Sequence, residues 1–256
     1  MNEVFSSARF GKLFIKHTAD HYRSYLMSIA VVAGVLILGG FFISYIAMGL
    51  LNPAGQTVLF FFLLVLAGTI FTSTIFNDLG EKKKSIPTLM LPASTLEKFL
   101  VGWLYSYVLF ILVFTGMYYF ALVAVIYFQT VRGDNEQMMM FFNYKTLWMF
   151  VLYSFCQSVA LFCSILFEKL HFIKTAFCFF IAIGLIILLN TLWVKGLTGK
   201  DVAPSMPFSS TLLHEGKSIY VLSPIDEGMF WVMWVIITIT IFFWIATYFR
   251  LREKRV

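Results

Sequence analysis

The chain has 256 residues, of which 60% are hydrophobic and 12% charged, with a formal net charge of +6 and a mean hydropathy of +0.86. A soluble domain ordinarily carries about 25% charged residues, and halving that share leaves too little polar surface to cover a water-soluble globule. The composition excludes a soluble enzyme, a nucleic-acid-binding domain and a disordered chain. An integral membrane protein remains.

Residues 1–24 contain Arg9, Lys12 and Lys16 clustered on one side of a helical wheel, with Phe10, Leu13, Phe14 and His17 on a neighbouring arc. This pattern predicts a helix lying in the cytoplasmic interface with its bases near anionic headgroups; a frayed, positively charged terminus is the plainer alternative. No apolar h-region followed by a small-residue cleavage site occurs in this stretch, so we expect no cleavable signal peptide. His17 and His21 have an i, i+4 spacing that can hold a metal. With no third ligand nearby in sequence, they read as a polar edge.

A crossing of about 30 Å needs about 20 apolar helical residues. The charge-free stretch from Ser24 to Asn77 accommodates two, and Leu51-Asn52-Pro53-Ala54-Gly55-Gln56 is the natural turn between them. The predicted spans are 25–49, 57–77, 99–128, 147–167, 175–194 and 229–249. The fold class is therefore all-α: a single polytopic membrane domain over 1–256, with six transmembrane helices.

The basic residues fix the expected orientation. The amino-terminal segment, the second-to-third connection (Lys82, Lys83, Lys84, Lys98), the connection with Lys169 and Lys174, and the 250–256 tail share one side. The opposite side holds Arg132, Lys145, Lys195, Lys200 and Lys217. The positive-inside rule puts the richer side, with both termini, in the cytoplasm. The net charge is then a topogenic signal, and no nucleic acid partner is expected.

None of the six apolar cores contains Asp, Glu, Lys or Arg. Ion-coupled carriers usually keep an ionisable residue or broken helix near the midplane, so an ion-coupled secondary carrier is the weaker alternative. Polar residues within the spans include Ser44, Thr72, Gln157 and Asn190. They are candidates for a substrate path, with interhelical hydrogen bonding as the plainer role. Gln157 and Asn190 are the costliest to leave unpaired in lipid, so both should face protein or a cavity. Cys156, Cys163 and Cys178 fall inside predicted helices and offer neither a disulfide framework nor a zinc spacing. No catalytic or metal constellation is present, and no enzyme activity is expected of this chain.

The segment 195–228 contains Gly196, Gly199, Pro204, Pro207, the β-prone run Ser218-Ile219-Tyr220-Val221 and Pro224. A connection this long either caps a path or simply joins two spans.

The most patterned polar segment is the cytoplasmic loop 78–98, expected to include a short helix. Ser94 followed three residues later by Glu97 has the spacing of a capping box at the entry to the third span. Ile86, Leu89, Met90 and Leu91 are apolar residues in a cytoplasmic loop and need a partner surface. The run Lys84-Ser85-Ile86-Pro87-Thr88-Leu89-Met90-Leu91-Pro92-Ala93-Ser94-Thr95-Leu96-Glu97-Lys98-Phe99 resembles the segment in which ABC type-2 membrane permeases carry a Leu-Pro-x-Ser element before the third span. Many relatives have Arg soon after that Ser, where this chain has Thr95, Leu96 and Glu97.

The resemblance implies a bacterial cytoplasmic (inner) membrane protein, the transmembrane subunit of an ABC transporter and mostly an exporter. The loop helix would be a coupling helix docked on a separate cytoplasmic ABC ATPase, with a second permease subunit completing the complex. Glu81, Lys82, Lys83, Lys84, Ile86, Leu89, Met90, Ser94 and Glu97 would form the ATPase interface. This chain has no Gly-x-x-x-x-Gly-Lys-Ser/Thr loop, so it would bind no cofactor itself, and ATP with Mg would sit in the partner. A non-transporting accessory or assembly subunit of a membrane complex is the other alternative.

Overall fold

A computed structural model describes residues 5–46, 52–75, 93–130, 144–167, 171–207, 209–215, 218–222 and 226–253. Helix α1 spans Ser7–Ile46 and α2 Pro53–Ile75. The third crossing is a compound helix: α3 (Thr95–Trp103), a π-helical stretch (Leu104–Leu109) and α4 (Phe110–Thr130). Helices α5 (Tyr144–Leu166), α6 (His171–Thr198) and α7 (Asp226–Glu253) follow. Among the described residues, six helical stretches are long and apolar enough to cross a membrane.

Helix α1 runs unbroken through the expected boundary at residue 24, so no separate amino-terminal helix exists. Between Asp20 and Ser28 there is neither Gly nor Pro to interrupt it. Its 40 residues extend about 60 Å, twice a hydrocarbon core of about 30 Å. The charged half therefore continues the axis of the apolar half. Helix α2 begins four residues before the predicted position 57, because Asn52 caps it and Pro53 suits a first turn. The Gly55 amide donates to Asn52 Oδ1 at 2.7 Å.

α1 and the third crossing run side by side in the same direction. Ser6 meets Glu97, and Thr18 hydrogen-bonds Tyr105. At the other end, Phe41 packs on Phe128 with ring centroids 5.3 Å apart. The largest helix contacts are α5 on α7 and α5 on α2.

The main core unites Leu36 of α1, Phe60 and Leu64 of α2, Phe114, Tyr118 and Leu122 of α4, and Tyr153 of α5. A second cluster joins Leu161 and Ile165 of α5 to Leu251 of α7. Gly68 is required where α2 meets α5, since a Cβ there would lie 2.5 Å from Cε2 of Tyr153.

The connection after α6 departs from an all-helical chain. It forms an antiparallel three-stranded sheet in the order β1 (Asp201–Val202), β2 (Thr211–Glu215), β3 (Ser218–Leu222). Leu213 pairs with Tyr220 and His214 with Ile219, so the β-prone run Ser218–Val221 is a true strand.

Candidate functional site

Two polar assemblies stand out, one at the amino-terminal end of the third crossing and one inside the bundle. The first is built on Glu97. Ser94 has extended backbone and caps α3: its Oγ accepts from the Glu97 amide at 3.2 Å, and its own amide donates to Glu97 Oε2 at 2.9 Å. The capping box expected from the spacing is therefore formed. The other carboxylate oxygen is spent on α1, accepting from the Ser6 amide at 2.9 Å and from Arg9 Nη2 at 3.3 Å.

Ser6 immediately precedes α1, and its amide is among the donors that a helix start leaves unpaired. Two parallel helices bring their positive dipole ends together here, and one carboxylate serves both. Glu97 is fully buried, while the Arg9 side chain is 39% exposed. Of the nine residues predicted to meet an ATPase, Glu97 thus faces inward and Ser94 caps α3. Glu81, Lys82, Lys83, Lys84, Ile86, Leu89 and Met90 lie outside the described residues.

An aromatic cluster adjoins this junction. Phe14 stacks on Tyr105 at 5.0 Å, and Tyr25 stacks on the same ring at 5.4 Å. His17 Nε2 hydrogen-bonds the Tyr25 hydroxyl at 2.7 Å, and the His17 and His21 rings lie 4.6 Å apart. The histidines are tied into a helix edge. Among the described residues, no group of three or more His, Cys, Asp or Glu side chains gathers to hold a metal.

The second assembly centres on Gln157 of α5, which is completely buried. Its Nε2 donates to Ser106 Oγ at 2.9 Å, and its Oε1 accepts from Trp244 Nε1 of α7 at 3.1 Å. Both ends of the amide are satisfied, one by each neighbouring crossing. Ser106 lies in the π-helical stretch, a type of irregularity that often marks a functional position in a helix. One residue further on, the Tyr107 hydroxyl bonds Ser154 Oγ at 2.6 Å. Trp103, Tyr107 and Trp244 pack edge-on at 5.4–5.5 Å or tilted at 5.3 Å around the same point. The network locks α5, α7 and the third crossing in one register.

The four predicted path residues stand on four different helices. Gln157 is inside this network. Thr72 is fully buried near the end of α2, its hydroxyl without a hydrogen-bond partner among the described residues. Ser44 is buried at the far end of α1. Asn190 Nδ2 donates to the Ser205 carbonyl at 3.0 Å, and Ser205 Oγ bonds Thr211 Oγ1 at 2.8 Å, which ties the sheet to α6.

The partners of Gln157 were not among the predicted residues. The signal was a Trp well inside the sixth span, whose indole N–H needs an acceptor, and the Ser and Tyr residues at 106 and 107. No family model, curated protein or solved structure matches this chain.

Proposed function

We propose that this chain is the membrane subunit of an ATP-driven exporter of the ABC type-2 permease kind, assembled with a second permease subunit and a separate cytoplasmic ATPase. The observation that carries this reading is the Glu97 junction. Ser94 and Glu97 stand near the end of the 78–98 segment and start the third crossing, and the same carboxylate holds the start of α1. A displacement of that segment is delivered to the first and third crossings together. A rigid helix pair gripped at one end is what an external motor needs.

The charge-free apolar cores point the same way, since they hold no ionic side chain to couple transport to an ion gradient. The sequence of 81–90 has the apolar and basic residues that a docking face of mixed character requires. Nucleotide and Mg belong to the partner.

Co-purification from the native membrane tests the assembly: an ATPase carrying a phosphate loop should accompany the chain under gentle extraction. Reversing the charges at Lys82, Lys83 and Lys84, or replacing Met90→Asp, should leave insertion intact and uncouple ATP hydrolysis from transport. Transport at wild-type rates in these variants would overturn the docking assignment.

A further inference from the structure

A cavity of about 150 Å³ lies between α1, α2 and α4, toward the carboxyl-terminal end of α1. Successive turns of α1 line it at Val35 and Leu36, Gly39 and Gly40, and Ile43 and Ser44. The ten residues of helix from Val35 to Ser44 make it about 14 Å long, parallel to the helix axes. Its floor is buried: Leu36, Tyr118, Ala121 and Val125 are each less than a tenth exposed. Its mouth is not, since Val35 is 57% exposed and Ile43 and Leu59 are partly so. The result is a slot open on the lipid-facing side of the bundle.

Polarity is confined to one end. Ser44 and Gln56, both buried, stand where α1 finishes and α2 begins. The Tyr118 hydroxyl donates to the Gln56 carbonyl at 2.7 Å, and the other lining side chains are hydrocarbon or glycine. Gly39 keeps the slot open, because a Cβ at that position would meet nothing within 4 Å. Gly40 differs, its Cβ position lying 3.2 Å from Val125 Cγ2.

An apolar cavity of about this volume stays dry and takes up a benzene-sized hydrocarbon in a soluble protein. An empty one would forfeit dispersion contacts along its whole lining. Here the medium at the mouth is the bilayer itself. The slot runs along the helix axes, as a lipid tail does, with polar side chains at one end and apolar walls along the rest.

We propose that the slot is a binding site for one acyl chain of a phospholipid from the leaflet at the carboxyl-terminal end of α1, its ester end at Ser44 and Gln56. Among the described residues no charged side chain lines the slot, so these residues recognise the chain and the ester region and not the charge of the headgroup. The site requires no ATPase and is independent of the transport reading.

The test uses the full chain in phosphatidylcholine nanodiscs containing a trace of phosphatidylcholine with a photoreactive diazirine midway along one tail. After illumination, peptide mass spectrometry should find adducts on Leu36, Ile43, Leu59 and Leu63 several-fold above those on Phe180 and Leu185, exposed residues of α6 that report ordinary boundary lipid. Gly39→Leu, which fills the slot, should reduce the slot adducts to the α6 level and leave α6 labelling unchanged. Replacing the probe by phosphatidylglycerol with the same tail should give the same pattern.

Slot labelling no higher than that of α6 in the wild type would overturn the proposal, as would undiminished slot labelling in a folded Gly39→Leu protein. If Gly39→Leu fails to fold, Ile43→Trp at the mouth replaces it with the same two outcomes.

Discussion

The fourth and fifth crossings, α5 and α6, are neighbours in sequence and opposites in placement. The most apolar window of α5 has a mean hydropathy of 1.9 and is 44% buried, while that of α6 reaches 2.6 and is not buried at all. In a water-soluble protein the more apolar helix would be the one inside. In a bilayer, lipid tails receive apolar side chains as readily as protein does, and polar groups are what drive a helix inward. Helix α5 carries Tyr153, Ser154, Gln157, Ser158 and Ser164, of which all but Ser154 are fully or nearly fully buried. Helix α6 has Asn190 and Thr191 near one end, and the first bonds Ser205 in the connection after α6 while the second bonds back to its own helix.

This contrast can be broken most forcefully at the contact that admits α5. Gly68→Leu would drive a side chain into the Tyr153 ring, and overpacking of this kind costs up to about 3 kcal/mol. The expected result is loss of the thermal melting transition in detergent and recovery of little folded protein. Retention of a wild-type transition would mean that α2 and α5 do not approach as closely as described.

The next effect is at Glu97. Removing the carboxylate in Glu97→Ala strips an acceptor from two helix starts, at about 2 kcal/mol on the scale of capping losses. Glu97→Gln, which keeps one acceptor oxygen, should recover part of that. A melting series of wild type, Gln and Ala in that order checks it, and equal melting of all three would remove Glu97 as a tie between α1 and α3. Smaller again is Gln157→Leu, which leaves Ser106 Oγ and Trp244 Nε1 without their partner. Interhelical hydrogen bonds in membranes are worth about 1 kcal/mol, so a modest fall in melting temperature is expected. Tryptophan fluorescence should shift as the Trp244 indole loses its acceptor.

Much of this was legible before any coordinates. The six crossings follow from apolar run length alone, because a bilayer imposes one length on every helix. The Ser94–Glu97 cap was legible as well, since a capping box closes within four residues. What could not be read is whatever joins residues distant in sequence. That Glu97 also holds Ser6, 91 residues away, depends on α1 and α3 lying parallel, and no local pattern encodes that. Gln157 was correctly expected to face protein, yet its partner Trp244 lies 87 residues on.

The boundary at residue 24 failed for a different reason. It was placed where charge stops, but a helix is ended by backbone signals, and none occurs there. Polarity in a span says that a residue must be paired, without saying that the paired residues share a channel.

The smallest expected effect lies on α6. Leu185 and Phe180 are 54% and 72% exposed, so truncating either to Ala removes contacts with lipid and little else. Exposed substitutions away from special features usually fall within about 0.5 kcal/mol, and melting of Leu185→Ala and Phe180→Ala should be indistinguishable from wild type. The same helix distinguishes lipid from a second copy of the chain. Cys178 is exposed on α6, whereas Cys163 is buried. If α6 faces only lipid, copper-phenanthroline oxidation in native membranes yields monomer, and the two Ala variants stay silent. If a second copy covers this helix, oxidation yields a Cys178-dependent dimer, abolished by Cys178→Ser, and Phe180→Ala loosens it. The most apolar crossing would then be the assembly face, with burial on α6 supplied by the complex.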